Sequence, residues 1–66
     1  MTASLVKDPK VNVWTVYIDG LKVGAICLWD SKYWAVYFEL PPTSRSFGML
    51  DEALDEIILL HKVQSS

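Results

Sequence analysis

Residues 11–40 read VNVWTVYI-DG-LKVGAICLW-DSK-YWAVYFEL, and the fold turns on them. Three runs dense in β-branched and aromatic residues are separated by two short polar breaks, the pattern of strands joined by tight turns. Asp19-Gly20 suits a two-residue type I′ turn, in which both central residues take positive φ. Asp30-Ser31-Lys32 marks a second turn. The expectation is a three-stranded antiparallel meander over residues 11–18, 21–29 and 33–40. Pro41-Pro42 ends the third strand, because neither proline can donate a ladder hydrogen bond.

Downstream, PPTSRS (41–46) reads as a loop in which Thr43, Ser44 and Ser46 supply turn and cap oxygens around Arg45. LDEALDEIILLHKV then predicts a helix over about 48–63, with Asp51 and Glu52 in its first turn and His61 and Lys62 in its last, matching the macrodipole. Upstream, MTASLVKDPK has no period and contains Pro9, so residues 1–10 read as a flexible lead-in. The predicted organisation is that lead-in followed by one α+β domain over 11–64, ordered β-β-β-α.

Parity assigns the faces. With Ile18 opposite Leu21, even positions of the first strand share a face with odd positions of the second. A four-residue loop over 30–33 sets Trp29 opposite Trp34. One face then collects Trp14, Val16, Ile18, Leu21, Val23, Ala25, Cys27, Trp29, Trp34, Val36, Phe38 and Leu40. All are apolar, so this is the expected core face. The helix stripe Leu50, Ala53, Leu54, Ile57 and His61, flanked by Ile58 and Leu60, should pack on it and give a two-layer sandwich.

The opposite face carries Val13, Thr15, Tyr17, Lys22, Gly24, Ile26, Leu28, Tyr33, Ala35, Tyr37 and Glu39. A solvated antiparallel face alternates to polar residues, and this one does not. One helix cannot cover both sides of a sheet. The predicted protein interface is therefore Val13, Thr15, Tyr17, Ile26, Leu28, Tyr33, Ala35 and Tyr37. Leu59, which projects from the charged arc of Asp51, Glu52, Asp55, Glu56 and Lys62, joins that set; a lone exposed leucine is the alternative. For the sheet face the alternative is an N-terminal segment, with Leu5 and Val6, folding back across it.

Composition bounds the rest. The chain has 66 residues and is 52% hydrophobic, which fits one small folded domain and excludes wholesale disorder. A domain this small buries only about 60% of its unfolded surface, which raises the expectation of a partner subunit. Six Lys plus Arg against eight Asp plus Glu leave a net charge of −2, far from the basic balance of nucleic-acid or membrane-surface proteins. A single Cys makes no internal disulfide, and one Cys with one His makes no structural zinc site. No apolar run reaches the roughly 18 residues of a membrane helix, and no signal-peptide pattern opens the chain, so a cytoplasmic protein without membrane contact is expected.

Candidate chemistry is sparse. Cys27 falls on the expected core face as a small buried hydrophobe. His61 has no partner for catalysis in the pattern and reads as a packed histidine at a helix C-terminus. Asp51, Glu52, Asp55 and Glu56 read as a solvated helix face. Gly20, Gly24 and Gly48 lack phosphate-loop spacing. No catalytic residue, metal ligand or cofactor is predicted, and the protein reads as non-enzymatic.

Trp14, Asp19-Gly20, Trp34, Phe47 and the helix start Leu50–Leu54 give a layout over residues 12–60 that resembles short β-β-β-α proteins encoded by phages and prophages. The fold is also similar to the three-stranded DNA-binding domain at the N-terminus of many phage integrases and to plant AP2 domains. In those families Arg, Lys and Trp on the open sheet face read DNA, which implies a nucleic-acid-binding module as the second reading. On the predicted open face only Lys22 is basic. The first reading is accordingly a small accessory protein that homodimerises or binds another protein through that face.

Overall fold

The computed structural model describes residues 1–41 and 45–65. Among these residues the chain forms β1 (Ala3–Lys7), β2 (Val13–Ile18), β3 (Leu21–Trp29), β4 (Lys32–Tyr37), β5 (Ser46–Phe47) and α1 (Leu50–Ser65). The strands make one antiparallel sheet in the order β1-β2-β3-β4-β5. The α+β class, the central meander and the C-terminal helix are as the sequence predicts. The strand count and the faces differ, and the third strand of the meander ends at Tyr37 rather than Leu40, where the chain turns with Leu40 N donating to Tyr37 O at 3.2 Å.

Residues 3–7 are a strand, not a lead-in. β1 pairs with β2 from Ala3↔Ile18 to Lys7↔Trp14. Pro9 lies beyond the ladder, in the turn that brings the chain back. There Asp8 Oδ1 accepts from Lys10 N at 2.8 Å and Val11 N at 3.3 Å, while Asp8 N donates to Val13 O at 2.9 Å. The proline thus terminates pairing rather than preventing it. At the other edge, Ser46 and Phe47 form β5 against Trp34 and Tyr33, so Ser46 is a strand residue rather than a cap. Thr43 and Ser44 lie outside the described residues. The helix starts at Leu50, with Ala53 N donating to Met49 O at 3.3 Å.

Both hairpin turns within the meander have two residues. Asp19 and Gly20 have φ of 52° and 83°, and Asp30 and Ser31 have 53° and 61°. These positive angles match the right-handed twist of the flanking strands. The expected four-residue loop over 30–33 is therefore absent: Trp29 faces Lys32, and Cys27 rather than Trp29 faces Trp34. A two-residue shift preserves parity, so it does not exchange faces.

A β-bulge does. Tyr17 pairs with Lys22, yet Val16 pairs with Gly24, which leaves Val23 as an extra residue on β3. One extra residue moves every later side chain of β3, and of β4 with it, to the other side of the sheet. Ile26, Ala35 and Tyr37 consequently join Val16, Ile18, Val23, Ala53 and Ile57 in the buried core. Trp14, Tyr33, Leu40, Leu5 and Phe47 pack around them. The helix contributes the predicted stripe, with Ala53 and Ile57 fully buried and Leu50, Leu54, Ile58, Leu60 and His61 half-buried. Burial of a side chain such as Ile57 contributes about 1.5–3 kcal/mol.

The bulge also seats the helix. A Cβ on Gly24 would lie 2.5 Å from Val36 O and 3.3 Å from both Cδ1 and Cγ2 of Ile57. Only a residue without a side chain lets Ile57 settle this close to the sheet. The Tyr37 hydroxyl and His61 Nδ1 are hydrogen-bonded at 3.2 Å, so the polar tip of this buried aromatic is satisfied at the helix C-terminal end.

Candidate functional site

The side of the sheet facing away from α1 is set by the same register. Thr15, Ala25 and Val36 are consecutive ladder partners, as are Val13, Cys27 and Trp34. Val6 extends the first row onto β1, and Ser46 extends the second onto β5. Tyr17 and Lys22 pair at one end, Trp29 and Lys32 at the other. Among the described residues no second layer of structure packs on this face.

Its side chains are partly shielded by one another and otherwise face solvent. Val13, Thr15, Tyr17, Ala25, Trp34 and Val36 are half-buried, whereas Lys22, Cys27 and Lys32 are exposed. Trp29 is 66% exposed, Val6 55% and Phe38, just past the end of β4, 52%. Trp29 and Trp34 form a ridge, with ring centroids 6.2 Å apart and planes inclined at 55°. Trp34 Nε1 donates to the Trp29 carbonyl at 3.0 Å, which fixes the second ring against the turn. An indole N–H satisfied within its own hairpin leaves the ring free for apolar contact.

The predicted interface divides accordingly. Val13, Thr15 and Tyr17 lie on the helix-free face, because β2 precedes the bulge in the register count. Ile26, Ala35 and Tyr37 are buried beneath α1, and Leu28 and Tyr33 pair with each other on that same side. Tyr33 also packs against Trp14, centroids 5.8 Å apart with the ring planes inclined at 55°. Leu59 is 56% exposed but sits on the helix, in the other layer. Conversely Ala25, Cys27, Trp29, Trp34 and Val36, predicted for the core, lie on the helix-free face. Leu21 and Phe38, predicted beside them, are also outside the core, both more than half exposed. Cys27 is exposed, not buried. The signal that could have placed these residues is Gly24, an isolated glycine within a strand, which is itself a bulge marker.

Other parts of the molecule offer less. Among the described residues no group of three or more His, Cys, Asp or Glu is placed to hold a metal ion. In the acidic helix face, Glu56 accepts from Arg45 Nη1 at 2.7 Å. The Arg45 guanidinium in turn lies 5.8 Å from the Phe47 ring centroid. A hollow of about 130 Å³ between β4 and α1 is lined by Ala35, Tyr37, Leu40, Pro41, Arg45, Glu56 and Leu60. Its charged groups are that ion pair, and the Tyr37 hydroxyl is engaged by His61 Nδ1. Among the described residues no helix is long and apolar enough to cross a membrane. No family model matches the chain, and neither a curated protein nor a solved structure is significantly similar to it.

Proposed function

We propose that the protein is a small non-enzymatic contact module that engages protein through the helix-free face of its sheet. One observation carries this reading: apolar side chains at Val13, Ala25, Cys27, Trp29, Trp34 and Val36 are contiguous over three strands and uncovered. A sheet face that only meets water alternates to polar residues. Contiguous apolar surface with aromatic side chains is instead the composition of an interface centre.

Nucleic acid is the second reading, favoured by Lys22 and Lys32 flanking the exposed tryptophans with no carboxylate on these strand positions. Indole rings stack on bases. Two lysines neutralise few phosphates, however, and phosphate contacts supply most of such affinity. The chain's net charge of −2 opposes it further. Protein contact ranks first.

The test is photo-cross-linking in the source cell from a photoreactive residue placed at position 29, with position 51 on the helix as reference. The expected result is protein adducts from position 29 that disappear with Val36→Lys and are weak or absent from position 51. Equal yields from both positions, or adducts to nucleic acid alone, would overturn the reading.

A further inference from the structure

We infer that the occupant of the helix-free face is a second copy of this chain, packed face to face about a two-fold axis that crosses the strands near Cys27. This rests on the reading of that face as a contact surface and adds the identity of the partner.

Size is the first argument. The molecule measures 34 × 24 × 19 Å. Five strands spaced about 4.8 Å apart, and a nine-residue β3 rising about 3.3 Å per residue, account for the two longer dimensions. That side of the molecule, turns included, spans on the order of 800 Å², comparable to what each partner buries in a standard stable complex of about 1,600 Å². A single helix, about 10 Å across, would leave more than half of that width wet. A copy of the same sheet matches it.

Relief is the second argument. The floor of the face is low at Ala25, between Thr15 and Val36, and rises at one end into the Trp29–Trp34 ridge. An axis crossing the strands reverses the second copy. Trp29 of each copy then descends onto the Ala25 floor of the other, large side chain on small twice over, while the two Trp34 rings, in the Cys27 row, meet across the axis. Such reciprocal contact defines an isologous interface. Face-to-face sheets stack about 10 Å apart with interdigitated side chains, which this relief permits. An axis along β3 would instead set Trp29 on Trp29, leave each Ala25 floor facing the other, and turn Asp19 toward Asp19 of the second copy. The crossing axis brings Lys22 of each copy to the rim beside the Asp30-Ser31 turn of the other, where a carboxylate is at hand.

Sedimentation velocity on the full chain, from low to high micromolar concentration, tests the partner. The wild type is expected to sediment as a dimer. Trp29→Lys and Ala25→Arg should each weaken the dimer at least about 100-fold, because each forces a charge into the apolar contact. Far-UV circular dichroism should stay unchanged, since both residues point away from the core. Leu59→Lys, on the helix, should leave association intact. A short bis-maleimide should join Cys27 to Cys27 within the dimer, and failure to do so while the dimer forms overturns the crossing axis. A wild type that remains monomeric overturns the inference while leaving the contact reading to the cross-linking test. Salt-sensitive binding of single-stranded DNA by that monomer would assign the face to nucleic acid. A dimer that survives both face substitutions is held elsewhere and overturns the inference, again leaving the contact reading to the cross-linking test.

Discussion

Gly24 is held from two sides, by the Val36 carbonyl within the sheet and by Ile57 from the helix, with 2.5 Å and 3.3 Å left for a Cβ. Gly24→Ala should therefore destabilise the fold by about 1–3 kcal/mol, the usual range for overpacking a core. For a domain this small each kcal/mol is worth about 4–8 °C in Tm, so a thermal melt reads the effect directly. An unshifted melt would mean that Ile57 does not bear on the strand. The same residue explains what single positions reveal in advance. Asp19-Gly20 is legible as a turn because glycine takes positive φ without strain. Asp30-Ser31 makes the same turn with no glycine, at φ values that cost most side chains about 1 kcal/mol or more, so its length was not legible. Val23 carries no mark at all. Its role as the extra residue shows only through its neighbour Gly24.

Elements were legible to different degrees, for reasons that lie in their periods. The stripe Leu50, Ala53, Leu54, Ile57 and His61 depends only on the 3.6-residue turn of one helix, and it packs as read. Strand faces depend on counting across two hairpins, and one miscounted residue inverts everything downstream of it. Trp14, Val16 and Ile18 therefore lie on the side that parity predicts, while Ile26 and Ala35 lie on the opposite one. β1 is faint in the sequence because five residues containing Ser4 and Lys7, close to Pro9, carry little strand signal of their own. Its pairing with β2 supplies the rest, along with a hydrogen bond from Thr2 N to Asp19 Oδ1 at 2.8 Å. Removing residues 1–8 should then lower the urea midpoint, with a loss of about 2 kcal/mol or more from Leu5 and the exposed flank of β2. A truncated chain as stable as the whole one would restore the lead-in reading.

The molecule as a whole divides its charge. Asp51, Glu52 and Asp55 are exposed on the helix layer, while the strand positions of the opposite face carry Lys22 and Lys32. Association through the sheet keeps both acidic surfaces outward, where repulsion is screened by water and salt. If two copies fold and associate together, stability depends on concentration by mass action. The Tm of the wild type should rise by a few degrees for each tenfold increase in concentration, and Phe38→Lys should remove that dependence. A concentration-independent Tm in the wild type would show that the monomer is the stable unit. Legibility also has a limit at this scale. An uncovered apolar face was foreseeable from the hydrophobic content, but its membership was not, because both faces of β3 and β4 are apolar enough to serve as a core. The bulge at Val23 therefore acts as a frame marker. Losing or gaining one residue there would exchange inner and outer faces over half the sheet without altering any other side chain. The sequence thus encodes two candidate interiors in alternating letters, and the choice between them is made by chain length at one point rather than by hydrophobicity.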